Sequence, residues 1–275
     1  MCNHIFLFSV DLEDVRLSVP GGEKYAARVP QMVDLYLAFL RKHNACCTFF
    51  IVGNQLEKYP DLIKKMAAQG HEIAFHTYSH TPLAELGPKG FEKEIIQFLD
   101  AAGALGITAI EGFRAPIFSL TEDTSWAYPI LKKYGFTYSS SVLPAPNPLF
   151  GWKDFGHETK NIGGIIEMPM TLHNIFPIPL AGGVYFRVIP FFLLKRSIKK
   201  VFASYKPLQS YFHPYDIDHN QERFMHPGIN NSKIFNYLMY FNRKNLFIKL
   251  EKIMALNATI MPYNTYIRKY GKEQQ

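Results

Sequence analysis

Residues 46–80 read CCTFFIVGNQLEKYPDLIKKMAAQGHEIAFHTYSH. The stretch opens on an apolar run, Cys46 to Ile51, of strand length. A helical pattern follows, with Asn54 placed to cap it, Gln69 at its end and Gly70 to close it. A second strand-like run, Glu72 to Phe75, stops at His76. Strand, helix and strand in such close succession form the repeating unit of a parallel sheet.

The same alternation extends outward. Ile5 to Val10 is almost continuously apolar, as a strand buried on both faces should be. Arg28 to His43 carries Val29, Met32, Tyr36, Phe39 and Leu40 at helical spacing. Downstream, Lys89–Ala104, Thr121–Tyr134 and Asn245–Leu256 read as helices. Gly112–Arg114, Phe136–Ser139, Ile165–Met168, Leu208–His213 and Ala258–Met261 read as strands. About seven parallel strands in one α/β domain, residues 1–275, predict an incomplete barrel. Residues 144–190, rich in Pro, Gly and aromatics, are expected to form long active-site loops. The tail 269–275 is expected to fray.

Composition narrows the class of protein. With 275 residues, 48% hydrophobic and 19% charged, the chain can build a core that needs no disulfide. Its three cysteines, Cys2, Cys46 and Cys47, form no CxxC pair, which suits a reducing compartment. Met1 to Asp11 has no basic region and only a short apolar run, unlike a secretory signal. Arg187 and Pro190 interrupt the longest later apolar stretch, Gly183 to Leu194, well short of the roughly 20 apolar residues that span a bilayer. A cytoplasmic location is expected. The formal charge of +7 favours an acidic partner or an anionic membrane only weakly. The cations are too scattered for a nucleic-acid groove.

Polar residues recur where strands end, and in parallel barrels those ends form the reactive face. Asp11-Leu12-Glu13-Asp14 follows the first strand, and alternation sends Asp11 and Glu13 to one side. His76-Thr77-Tyr78-Ser79-His80 places two imidazoles on one turn or tight loop. Two imidazoles and one carboxylate suit a zinc ion with open positions, leaving a second carboxylate to act as a base. Alone, the acidic cluster reads as well as a solvated loop, and the histidine pair as surface or core residues. Arg114 ends a short strand and His213 a later one. Phe118, Trp126, Trp152 and Tyr185 could serve as sugar platforms, although most aromatics are core.

The segments SVDLED, the quoted stretch 46–80 and GFRAPIFS resemble the polysaccharide deacetylase family, also called the NodB-homology group or carbohydrate esterase family four. GFTYSSSVLP, IIEMPMT, AGGVYF and FHPYDID resemble its branch associated with exopolysaccharide and cell-surface glycan loci. The likeness runs over roughly residues 5 to 260. It implies an incomplete (β/α)7 barrel, one divalent metal ion, most typically zinc, and hydrolysis of the N-acetyl group of an amino sugar in a glycan. It gives Asp11 the role of general base and His213 that of general acid. The metal would be held by His76, His80 and a carboxylate of the acidic loop. Where many relatives have two adjacent aspartates this chain has Asp-Leu-Glu-Asp; parity favours Glu13, with Asp14 next. Arg114 would pair with Asp11 and keep it a carboxylate. Trp152, Tyr185 and Pro116 are the substrate-binding candidates.

One departure stands out. Relatives place an aspartate beside the acid histidine where this chain has Ser139, and Asp216 or Asp218 is left to supply the missing charge. The implied partner is a carbohydrate, lipid-linked forms at the inner face of the membrane included. The basic, aromatic stretch Tyr185 to Lys200 offers a peripheral membrane contact, against the plainer reading of a helix at the barrel rim. The oligomeric state is not readable. The competing readings are allantoinase-like hydrolysis of a cyclic amide and a glycan-binding relative with weak activity.

Overall fold

The computed structural model describes residues 4–147 and 149–271. Cys2 and residues 272–275 of the expected tail lie outside the described residues.

The first strand run is two strands, β1 (His4–Leu7) and β2 (Ser9–Leu12), broken at Phe8. Then follow α1 (Val29–Lys42), β3 (Thr48–Ile51), α2 (Asn54–Lys58), α3 (Pro60–Ala68), β4 (Glu72–Phe75) and α4 (Leu83–Ala104). Next come β5 (Gly112–Phe113), α5 (Ala127–Lys133), β6 (Tyr138–Ser139), β7 (Lys160–Ile162), β8 (Ile165–Glu167) and β9 (Ala181–Gly182). The chain continues through α6 (Gly183–Val188), α7 (Phe191–Ala203), β10 (Leu208–Tyr211) and α8 (Lys233–Tyr240). It ends with α9 (Leu246–Met254), β11 (Ala258–Ile260) and α10 (Tyr263–Tyr270).

The strands form an α/β fold of parallel sheets. Among the described residues one sheet has the order β2-β3-β4-β5-β6-β8-β7 and the other β11-β1-β10-β9. They meet where Asp11 N donates to Phe212 O (2.7 Å) and Phe212 N to Ser9 O (3.1 Å). Among the described residues all the strand ladders are parallel except β7 with β8, a hairpin turned by Gly163 and Gly164, both with positive φ. No ladder joins β8 to β10 among the described residues, so the ring is open there. Side chains bridge the seam: Gln209 Nε2 donates to Pro169 O (2.7 Å), and Gln209 N donates to Thr171 Oγ1 (3.2 Å).

The strand residues alternate between two cores. Phe49, Ile51 and Phe75 face the helices, where Phe75 packs on Phe98 with ring centroids 4.8 Å apart. Phe50, Ala74 and Tyr138 face inward and meet Tyr263 of α10. That helix covers the end where strands begin: Tyr263 N donates to Thr48 Oγ1 (2.9 Å).

Some expected elements differ. The helix expected from Asn54 to Gln69 is two helices, because Tyr59 leaves the helical region (φ −132°, ψ 53°) before Pro60. Proline lacks the N–H that would continue the ladder and disfavours a helical residue before it. The helix expected over Thr121–Tyr134 starts only at Ala127. Residues 144–190 are not loop throughout; they contain β7, β8, β9 and α6. At the C-terminus, Lys269 and Tyr270 are helical.

Buried Glu72, the first residue of β4, accepts bonds from Thr48 Oγ1 (2.6 Å), Tyr138 OH (2.8 Å) and Asn264 N (3.0 Å). Burial raises its pKa to about 7, the three bonds opposing it only in part. The folded state therefore holds a proton that the unfolded chain has released. This stability is complete below the ordinary glutamate pKa and is lost as pH rises through about 7. Glu72→Gln is expected to flatten that loss, on the order of 3 kcal/mol between pH 4 and pH 8. Denaturant midpoints of both proteins across that range test it; parallel slopes would disprove it.

Candidate active site

The chain bends at the C-terminal ends of the strands so that several functional groups face one cleft of about 510 Å³. Asp11, Glu13, His76, His80, Arg114, Tyr185 and His213 all line it.

Asp11, on β2, is held by a fully buried guanidinium. Arg114 Nη1 donates to Asp11 Oδ1 (2.7 Å) and Ser9 Oγ (2.8 Å). Its Nη2 donates to Ser140 Oγ and Tyr263 OH, both at 3.0 Å, and its Nε to Ser140 O (3.0 Å). The guanidinium also lies over the Phe50 ring, 4.1 Å from its centroid. With so many partners the cation cannot swing away, and its bond to Asp11 goes to Oδ1.

The histidine pair stands on a loop rather than a helical turn. Thr77 (φ 56°) and His80 (φ 62°) are both left-handed, a conformation concentrated at functional turns. Gly53 and Asn54 donate from their backbone N–H groups to Thr77 O and Tyr78 O, tying this loop to the start of α2. The rings of His76 and His80 lie 5.1 Å apart. His76 Nδ1 lies 2.7 Å from Arg114 O; a carbonyl can only accept, so Nδ1 carries the hydrogen and Nε2 is a bare lone pair. Burial is the largest influence on His76 and lowers its pKa to about 3.

His80 Nε2 lies 3.1 Å from Glu13 Oε2. Adjacent tetrahedral zinc ligands sit about 3.3 Å apart. Glu13 also reaches toward His213, with Oε1 3.7 Å from Nε2. Among the described residues no three His, Cys, Asp or Glu groups are already gathered into a metal-binding cluster. The donor set nonetheless fits a divalent ion: a neutral imidazole with its Nδ1 tied to a carbonyl is the usual form of a metal-ligating histidine. Asp14 does not join this group. Arg16 takes both its oxygens (2.9 and 2.6 Å) and Lys58 adds a third contact at 2.9 Å. Those cations lower its pKa against the opposing effect of burial.

His213 follows β10. Its Nδ1 and its backbone N both lie 2.9 Å from Asp216 Oδ2. Burial is the largest influence and pushes the imidazole pKa down. The bond and charge of Asp216, with Glu13 and Asp11, together outweigh it and raise the pKa to about 9. Arg187 sits behind Asp216: Nε donates to Oδ1 at 3.1 Å. Its Nη2 lies equally close but out of line for a bond, so it contributes charge alone. Arg187 Nη1 donates to Phe241 O (2.6 Å). Tyr215 stacks on the His213 ring at 4.6 Å.

Ser139 therefore does not stand in for the missing aspartate. Its hydroxyl donates to Ser141 Oγ (2.7 Å), and Asp216 carries the charge instead. Asp218 pairs with Arg28. The role of Arg187 was missed in the sequence; a lone arginine in the apolar run GGVYFRVIPFF was the signal, since such a residue is buried only with a partner.

Of the substrate-binding candidates, Tyr185 lines the cleft. Trp152 does not: its ring packs edge-on against Phe155 at 4.9 Å, and its backbone N–H donates to Leu143 O. Trp126 likewise packs against Phe91. Pro116 is buried, but its neighbours Ile117 and Phe118 line the cleft. Both have left-handed backbones (φ 54° and 56°). For the β-branched Ile117 this is genuine strain, which folds retain mainly at functional sites.

Residues 23–139 match the polysaccharide deacetylase family, and residues 140–261 match a domain of unknown function, DUF3473. Residues 23–139 are thus similar to the polysaccharide deacetylases. The polysaccharide deacetylase match takes in His76, His80 and Arg114, the second match His213; Asp11 and Glu13 precede both. A peptidoglycan-N-acetylglucosamine deacetylase of Bacillus cereus is 35% identical over 89 residues, 32% of this chain and 32% of that protein. A chitooligosaccharide deacetylase of Sinorhizobium fredii is 35% identical over 68 residues, 25% of this chain and 30% of that protein. The chain thus matches about a third of the length of these relatives. A Mycobacterium smegmatis structure assigned as a polysaccharide deacetylase superposes with a TM-score of 0.63. It covers 97% of this chain and 90% of the other at 18% identity, a likeness of fold.

Proposed function

We propose that this protein hydrolyses the N-acetyl group of an amino sugar within a glycan, releasing acetate and a free amine. The observation that carries the reading is the meeting, in one cleft, of an arginine-held carboxylate, a histidine pair beside Glu13, and an aspartate-charged histidine.

His76 Nε2, His80 Nε2 and Glu13 would hold the divalent ion, with zinc the best match to this donor set. When bound, such an ion polarises the amide carbonyl and lowers the pKa of water. Asp11 takes the proton of the attacking water through the oxygen that Arg114 leaves free. The new C–O bond forms at the acetyl carbon, and the C–N bond breaks. His213 Nε2 gives its proton to the departing nitrogen, and Asp216 keeps that imidazole charged beforehand. Tyr185, Tyr211 and Phe118 wall the cleft with aromatic faces suited to the CH faces of a pyranose.

Retention of both His76 and His80 favours this reading over an allantoinase-like one. The test is acetate release from N-acetylated chitooligosaccharides, with zinc added and after chelation. Zinc should restore what chelation removes, and His76→Ala and His80→Ala should lose both zinc binding and turnover. Undiminished turnover in the chelated protein would refute metal dependence. Glycan binding with no acetate release from the zinc-loaded protein would favour a binding relative.

A further inference from the structure

Beside the cleft, the fold leaves a set of large apolar side chains uncovered. No residue of α8 is buried. Ile234, Phe235 and Tyr237 on it are 75%, 59% and 58% exposed. Phe241, just past its end, is exposed as well. Val188 and Phe192, also exposed, stand at the end of α6 and the start of α7; α8 packs against α6, and the Arg187–Phe241 bond ties the two together. Soluble chains rarely leave so many large apolar residues together without a partner.

Charge is concentrated on the same segment. Residues 183–256 hold twelve lysines and arginines against four acids, a net +8, which leaves −1 for all the other residues. Lys195, Arg196 and Lys199 on α7, Lys233 on α8, and Lys244 and Lys252 near α9 are exposed. The same elements also build the cleft: Met239 of α8 and Gly228 and Ile229 before it line the wall.

We propose that this face, α8 with the α6–α7 corner, docks on the surface of a membrane that contains anionic lipids. Aromatic and aliphatic side chains enter the boundary between headgroups and acyl chains, while surrounding lysines meet the lipid charge. Two further occupants fit less well. A second copy would bring the exposed lysines of two such faces together, and a soluble anionic polymer has no use for Ile234 and Phe235. No helix among the described residues is long and apolar enough to cross a membrane, so the contact is peripheral. The inference is independent of the deacetylase reading and is tested without any glycan.

The test is cosedimentation with vesicles of phosphatidylglycerol and phosphatidylcholine, against vesicles of phosphatidylcholine alone. The protein should partition at least roughly tenfold more onto the anionic vesicles and come off as salt is raised. The triple variant Ile234→Ser, Phe235→Ser, Tyr237→Ser should lose about tenfold in partitioning. In the unaltered protein, anionic vesicles should slow amide exchange across residues 233–241, a reading that needs no variant. The proposal fails if neither vesicle captures the protein. It fails equally if the triple variant binds as well as its parent, or if that variant only dissociates a dimer.

Discussion

An Asp11→Asn variant is expected to release acetate roughly 10²- to 10⁴-fold more slowly than the unaltered protein. Asparagine keeps the size and an oxygen for Arg114, but it cannot accept a proton from water. The guanidinium keeps its bonds to Ser9, Ser140 and Tyr263, which limits the loss of stability that follows when a buried charge is stranded. Zinc binding should survive, because the proposed ligands are His76, His80 and Glu13. The measurements are kcat for acetate release and a zinc titration of the same preparation. Full turnover in the variant would remove Asp11 as the base. Loss of zinc binding as well would make Asp11 a ligand instead.

Asp216→Asn should have the next largest effect, about a hundredfold in kcat, and should move the pH profile. His213 is held charged up to about pH 9, so its acid form is present below that value and disappears above it. Without the Asp216 carboxylate, burial dominates and the imidazole falls toward or below its ordinary value near 6.5. The alkaline limb of kcat/KM should therefore shift to lower pH by a unit or more. The charge on His213 also stabilises the folded state, fully at acid pH and decreasingly as pH rises through about 9. Removing Asp216 strands the buried cation of Arg187 as well, so the melting point should fall. A lower melting point with an unmoved alkaline limb would reduce Asp216 to a structural residue.

Much of this site can be read in the letters because strand ends are easy to find. Asp11, His76, Arg114 and His213 each close or follow an apolar run, and a parallel sheet brings such positions to one end. The shared side of the acidic loop was legible through parity: Glu13 lines the same cleft as Asp11, while Asp14 pairs with Arg16 and Lys58. Spacing could not reveal what depends on packing between distant elements. Arg187 reaches Asp216 across 29 residues of chain, and Trp152 sits against the core although its surroundings look like a loop. The apolar pattern of α8 would ordinarily mark a helix face turned toward the core, yet in the structure it is turned outward.

The open seam between β8 and β10 has a consequence for solubility. An unclosed sheet has two rims, and each could serve as a template for a stray strand from another molecule. Here one rim is β7, three residues long, bearing Lys160 and turning back through two glycines. Another is β9, two residues that run straight into α6, and β11 at the far end of that sheet is only three residues long. Rims this short offer too few free backbone groups to copy, so the gap does not make the protein prone to polymerise edge to edge.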